Sequence, residues 1–291
     1  MTPVPAQSSE TQLPTLRGIA DLRAQVAAWR AAGESIGLVP TMGGLHAGHL
    51  ALVHQARAEC DRVIATIFVN PIQFNEAADF KGYPREEARD AAELAAAGAD
   101  LLFAPAQEEV YPPGFTTSVS VAGLSDCLCG LARPGHLSGV ATVVAKLLLQ
   151  SLPDAAYFGE KDYQQLLVVR RMARDLDIPV RIAVVPTVRA ADGFALSSRN
   201  QHLTPEQRTR AAALYRVLSE VAERLAKGAN AEAELARGRD LLLGAGIERI
   251  DYLELRHGET LEALERATPP ARLFAAVWLG ETRLIDNLAV V

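Results

Sequence analysis

The stretch Val39-Pro40-Thr41-Met42-Gly43-Gly44-Leu45-His46-Ala47-Gly48-His49-Leu50 follows an apolar strand beginning at Ile36 and leads into an amphipathic helix. Between them lies a glycine-rich turn that sets two histidines three residues apart at the helix start. Gly43, Gly44 and Gly48 let the backbone approach a ligand, and a helix N-terminus offers unpaired N–H groups and the positive end of its dipole to an anion. Two imidazoles can donate hydrogen bonds to phosphate oxygens without a permanent charge. The stretch therefore predicts a nucleotide phosphate site. A helix-capping histidine pair or a metal site are the alternatives; the second needs further Cys, His or carboxylate ligands, and neither accounts for the glycines.

Working outward, short β-branched runs alternate with helical patterns from about Arg17 to Pro186, which reads as a parallel sheet covered on both faces. Strands are expected at Ser35 to Pro40, Arg62 to Val69, Asp100 to Ala104, Ala155 to Phe158 and Val180 to Val185. Helices are expected after the first strand, with Leu50, Val53 and Cys60 on one side, and at Arg85 to Ala97, Ser138 to Ser151 and Asp162 to Asp175. Beyond Asp192-Gly193 two Ala/Leu/Glu/Arg helices, Pro205 to Lys227 and Ala231 to Leu243, precede strand-like runs at Ile247 to Leu255 and a hairpin from Leu273 to Leu288. The fold class is α/β: a doubly wound parallel sheet with a smaller C-terminal α+β domain. The division expected is a disordered tail at 1–15, a nucleotide-binding domain at 16–187 and a second domain at 188–291, with the polar run at 188–199 a moving part.

The 291 residues carry a net charge of −6, with no Lys/Arg stripe to neutralise a nucleic-acid backbone, so no nucleic-acid partner is expected. Cys60, Cys127 and Cys129 form neither a Cys-x-x-Cys pair nor a disulfide framework, which fits a reducing cytoplasm. The Pro/Ser/Thr/Gln-rich start lacks the basic and apolar regions of a secretory signal, and no apolar run approaches the ~20 residues of a membrane helix.

Open doubly wound sheets bind ligands at the carboxyl ends of their strands, where four polar loops fall here. These are the Met42 to His49 turn, Asn70 to Asn75, Gly159-Glu160-Lys161-Asp162-Tyr163-Gln164-Gln165, and Leu196-Ser197-Ser198-Arg199-Asn200. Lys161 suits a β- or γ-phosphate, with Asp162 holding Mg²⁺ through water; a surface Lys–Asp pair is the alternative. Ser197, Ser198 and Arg199 supply two hydroxyls and a guanidinium fork suited to pyrophosphate, though all three are ordinary loop residues. Gln73 and Gln165 offer amides to a small acid, or are merely solvated. Arg133-Pro134-Gly135-His136 forms a turn whose arginine closes on phosphate or on a neighbouring subunit. Nothing in the pattern marks a protein nucleophile, so the substrate brings its own.

The motifs Pro40 to His49, Phe68-Val69-Asn70-Pro71-Ile72-Gln73-Phe74, Tyr83-Pro84-Arg85, Arg133 to His136, Phe158 to Gln165 and Leu196 to Asn200, in this order, resemble the pantothenate synthetase (pantoate–β-alanine ligase) family. The His-x-Gly-His element alone is shared across the nucleotidylyltransferase superfamily. The resemblance implies a Rossmann-like first domain, a C-terminal lid, a homodimer in the cytoplasm and a need for Mg²⁺. It implies that pantoate attacks ATP to give pantoyl adenylate and pyrophosphate, and that β-alanine then displaces AMP. By position, Pro40, Thr41, Met42, Gly43, Gly44, Leu45, His46, Ala47, Gly48, His49, Gly159, Glu160, Lys161, Asp162, Val188, Leu196, Ser197, Ser198 and Arg199 would hold ATP. His49 would be the proton donor and His46 a phosphate contact, with Lys161, Ser197, Ser198 and Arg199 offsetting phosphate charge. Gln73 and Gln165 would bind pantoate, Gln73 also lying near β-alanine. Two departures are Cys129, where the family often has an acidic residue, and Leu137, where Phe is common. A nucleotidyltransferase that keeps the nucleotidyl group on its product, and a nucleotide-sensing module without turnover, are the competing readings.

Overall fold

The computed structural model describes residues 13–75 and 77–291. In chain order the elements are β1 (Thr15–Leu16), α1 (Ile19–Ala31), β2 (Ile36–Thr41), α2 (Ala47–Glu59), β3 (Arg62–Ile67), α3 (Ala77–Gly82), α4 (Glu87–Ala97), β4 (Leu101–Phe103) and α5 (Gln107–Val110). They continue with α6 (Cys129–Ala132), α7 (His136–Ser151), β5 (Ala155–Gly159), α8 (Tyr163–Asp175), β6 (Arg181–Val185), α9 (Pro205–Ala226), α10 (Ala231–Gly244), β7 (Arg249–His257), β8 (Ala271–Leu279) and β9 (Thr282–Val290). Single 3-10 turns occupy Pro71–Gln73, Glu160–Asp162 and Ser198–His202.

Strands β1 to β6 form one parallel sheet in the order β1-β4-β3-β2-β5-β6. Side chains alternate across it with period two. Ile36, Leu38 and Ile64 pack under α1, α7 and α8, whereas Val39, Val63 and Ala65 pack under α2 and α4. Both faces are buried, so the strands read as continuous apolar runs. The α2 face buries Leu52, Val53 and Ala56, while Leu50 and Cys60, expected on that face, are only partly covered at its margin.

The order reverses between β2 and β5, and there the sheet opens. Pairing of β2 with β5 stops at Leu38↔Ala156, while pairing with β3 runs on to Thr41↔Ile67. Pro40 lies beyond the last β5 pair; having no N–H, it could not extend that ladder. A crevice therefore forms over the carboxyl ends of β2 and β5, the usual ligand position in such folds.

Strands β7, β8 and β9 make an antiparallel sheet. Along β8, Leu273, Ala275 and Val277 join a core with α9 and α10, while the intervening Phe274 and Ala276 join the core of the first sheet. The second sheet is thus covered on both sides, with its outer face under helices and its inner face on the parallel domain. The expected tail, 1–15, is corrected at its end: Leu13 is buried and Thr15 and Leu16 pair with Leu102 and Phe103, because an apolar residue there completes the edge of the sheet. Residues 1–12 lie outside the described residues.

Candidate active site

A cavity of about 1240 Å³ occupies the crevice and extends beneath the second sheet. Of the residues anticipated from sequence, Pro40, Thr41, Met42, His46, Gly48 and His49 line it from the end of β2. Gly159, Lys161, Asp162 and Gln165 line it after β5, and Gln73 after β3. Val188, Leu196, Ser197, Ser198 and Arg199 complete the wall from the segment that leads out of β6. Gly43, Gly44, Leu45, Ala47 and Glu160 lie behind that wall.

The reason is a residue not singled out in the sequence. Asp90, buried on α4, accepts the N–H of Gly44 at 2.8 Å and of Leu45 at 3.0 Å. The Gly43 N–H goes to Thr41 Oγ1 at 3.2 Å, and the Gly48 N–H to His46 Nδ1 at 3.0 Å. The helix start expected to offer unpaired N–H groups has that of Gly48 taken by the His46 ring, and the N–H groups of Gly43 and Gly44 are likewise satisfied. Gly43 and Gly44 serve instead to reach φ of +80° and +62°, and a side chain on Gly44 would press on Pro84 and Ser198. The signal for Asp90 was a carboxylate sharing the apolar face of Leu94 and Ala97.

Because His46 Nδ1 accepts from the helix, its proton belongs on Nε2, making the ring a donor. Its ring centroid lies 4.1 Å from that of His49, whose Nδ1 is buried with no hydrogen-bond partner among the described residues. Burial and then the Lys161 charge hold the His46 pKa down to about 4. Burial and then His46 hold His49 down to about 3. Both imidazoles are neutral at pH 7. Lys161, largely buried, has Asp162 as its one carboxylate partner among the described residues, at 3.8 Å.

The Ser197–Arg199 segment closes over the turn. Ser197 Oγ accepts the Arg199 N–H, Ser198 Oγ lies 3.3 Å from Tyr83 Oη, and Tyr83 Oη donates to Gly43 O at 3.3 Å. Arg199 reaches Asp79 at 3.2 Å, with Arg133 3.8 Å from the same carboxylate. On the opposite side Gln73 is held firmly. Its Oε1 accepts from Asn70 Nδ2 at 2.9 Å, its Nε2 donates to Met42 Sδ, and its carbonyl lies 2.8 Å from His136 Nδ1. Burial and Arg133 push His136 down to about 4. Gln165 faces the cavity beside Gln164, which also lines it and whose amide is tied to Leu124 O and Cys127 O.

Phosphate-type donors and a pair of amides thus share one crevice at the switch point of a parallel sheet. The family model described as pantoate-beta-alanine ligase matches residues 14–289. The chain belongs to this ligase family. Pantothenate synthetases of Ruegeria pomeroyi and Paramagnetospirillum magneticum are each 56% identical to it, over 95% and 96% of this chain and 97% and 99% of theirs. The crystal structure of pantothenate synthetase from Thermus thermophilus superposes with a TM-score of 0.90 at 51% identity, covering 96% of this chain and 99% of that one. Pantoate–β-alanine ligase of Francisella tularensis, crystallised with β-γ ATP and β-alanine, superposes with a TM-score of 0.81 at 33% identity, covering 95% and 97%. The enzyme class, an α/β ligase that joins pantoate to β-alanine, therefore stands, and the competing nucleotidyltransferase and sensing-module readings do not.

Within this ligase the departures at Cys129 and Leu137 are accommodated. Cys129 Sγ lies 3.1 Å from Tyr252 Oη and 3.5 Å from Arg283, whose charge is met by Asp251 at 2.8 Å. Leu137 is buried in the main core. Among the described residues no three His, Cys, Asp or Glu side chains gather to hold a metal. Asp162 lines the cavity beside Lys161, while Asp79 and Asp286, which also line it, are paired with arginines; this donor set fits Mg²⁺ carried mainly by substrate phosphates and water. No helix among the described residues is long and apolar enough to cross a membrane.

Proposed function

We propose that this ligase activates pantoate on ATP within the crevice and that the side chains around it act as follows. His46, His49, Lys161, Ser197, Ser198 and Arg199 receive the triphosphate and offset the charge that grows as pyrophosphate leaves. Pro40 to His49, Gly159 to Asp162, Val188 and Leu196 frame the rest of the nucleotide, with Gly43, Gly44, Leu45, Ala47 and Glu160 acting from behind the wall. Gln73 and Gln165 hold pantoate; the bonds from Asn70 and Met42 fix how the Gln73 amide faces it. A pantoate carboxylate oxygen attacks the α-phosphorus and the bond to the β-phosphate breaks. The amine of β-alanine then attacks the acyl carbon, and the carbon–oxygen bond to AMP breaks. Both nucleophiles come from substrates, so the protein supplies positioning and charge. Asp162 would hold Mg²⁺ through water, and the ion bound with ATP would neutralise phosphate charge.

The observation that carries this reading is the convergence of loops after β2, β3, β5 and β6 on one cavity, larger than the ~300–1,000 Å³ of an ordinary small-molecule site. In the ligand-free site both histidines are neutral, a state in which each ring can donate a hydrogen bond to phosphate. We divide the chain at 187/188 and assign the C-terminal part the lid role. Substrate entry then requires release of the Ser198–Tyr83 and Arg199–Asp79 contacts. A homodimer in the cytoplasm completes the proposal. The test is to supply ATP, Mg²⁺ and pantoate and follow pyrophosphate, then add β-alanine and follow AMP and pantothenate. Pyrophosphate formed with pantoate alone, with AMP awaiting amine, is expected; AMP release without amine or pyrophosphate without pantoate would refute it.

A further inference from the structure

Besides the two histidines after β2, the phosphate-facing side chains sit on two loops far apart in sequence, Glu160–Asp162 after β5 and Ser197–Arg199 beyond β6. Both are held by adjacent residues of β9. Neighbouring residues of a strand point to opposite faces. On β9, Leu284 and Leu288 turn toward the core under α9 and α10, and Ile285 toward the core of the parallel domain. Asp286 shares the first face and Asn287 the second, and both are buried.

Asp286 grips Arg189 with both oxygens, at 2.6 and 2.8 Å. Arg189 also donates to Gly193 O at 3.0 Å, lies over the Tyr215 ring at 4.3 Å, and closes a bridge with Ala195. Asn200 Nδ2 returns to Ala195 O at 3.1 Å, so the small hairpin that Arg189 anchors sets where Ser197, Ser198 and Arg199 stand. Asn287 Nδ2 donates to Glu160 O at 3.1 Å and Lys161 O at 2.9 Å. Its Oδ1 accepts from Arg272, which also binds Glu160 Oε1 at 2.8 Å and stacks over Tyr163 at 3.7 Å. Asp286 Oδ1 in turn accepts the Asn287 backbone N–H at 2.8 Å.

We infer that Asp286 and Asn287 are positioning residues for pantoate activation: one strand sets the Ser197–Arg199 loop with one side chain and the Lys161 loop with the next. This rests on the phosphate roles given to those two loops above. Both residues line the cavity, and each acts through the loop it holds: a single backbone step joins the anchor of the Ser197–Arg199 loop to that of the Lys161 loop. Displacement of a charge contact by about 1 Å is enough to slow a reaction by about 10²-fold.

The test is single-turnover pyrophosphate formation in a set of double-mutant cycles, with thermal melting and the pantoate KM measured beside it. Asp286→Asn and Asn287→Ala are each expected to slow the step by about 10-fold or more while the KM moves less than about 3-fold. Asp286→Asn should add little slowing to Arg199→Ala but its full effect to Lys161→Ala; Asn287→Ala should show the reverse pattern. A purely structural role would give the same factor in every background, and that result would overturn the assignment. Arg189→Lys keeps the charge but loses the two-pronged contact, and it runs the same cycle should Asp286→Asn fail to fold. Lys161→Ala and Arg199→Ala that are themselves fully active would overturn the phosphate reading instead; slow single variants with additive cycles would overturn only the role of Asp286 and Asn287.

Discussion

At the scale of single residues, the side chains that face the cavity differ in kind from those that hold them. In the proposed function His49 and Lys161 act on charge that appears only as pyrophosphate departs. His49→Ala and Lys161→Ala should each lower the adenylation rate by about 10²-fold or more with the fold intact, as melting curves will check. Gln73→Ala should chiefly raise the KM for pantoate, because the contact proposed for it is that of an uncharged amide; an unchanged KM would contradict this. Asp90 is the opposite case, a buried carboxylate whose two accepted amides have no other partner in the turn. Asp90→Ala should cost about 2–4 kcal/mol of stability, read as a lowered denaturation midpoint, since it strands polar N–H groups away from water.

At the scale of elements, helix starts and strand ends set the site. The α2 start is capped by the His46 ring, so one histidine both ends the turn and faces the cavity, with Gly48 leaving room for that ring. The α9 start has Thr204 and Gln207 in a reciprocal capping box with Pro205 at the first position, directly after the segment that carries Arg199. Thr204→Ala should destabilise the protein by about 1 kcal/mol, measured by denaturant titration, with little change in KM. Glycines before the histidines and apolar runs of strand length were legible from residue order alone. The partners that turn such elements into a site were not. Asp90 lies 46 residues from Gly44, and Arg272 lies 112 from Glu160.

At the scale of the whole molecule, three imidazoles kept neutral by burial make stability depend on pH. His46, His49 and His136 bind protons in the folded state only near pH 4, 3 and 4, whereas in the unfolded chain they do so near 6.5. Between those values the unfolded state holds more protons. Their contribution is therefore fully present above pH 6.5 and is lost as the pH falls from about 6.5 toward 4. The ligand-free protein should melt several degrees lower at pH 5 than at pH 7.5, and His46→Asn, which can still cap α2, should flatten that slope; equal slopes would disprove it. What the residue order determined by itself was the doubly wound sheet, the two-part chain and the chemistry of its loops, because apolar period, turn residues and donor types are local properties. Only the tertiary structure decided which amides of the turn remain available, that the histidines are uncharged, and that the second sheet seats against the first. Those depend on burial and on partners tens to more than a hundred residues away, which the packing of helices and strands alone brings together.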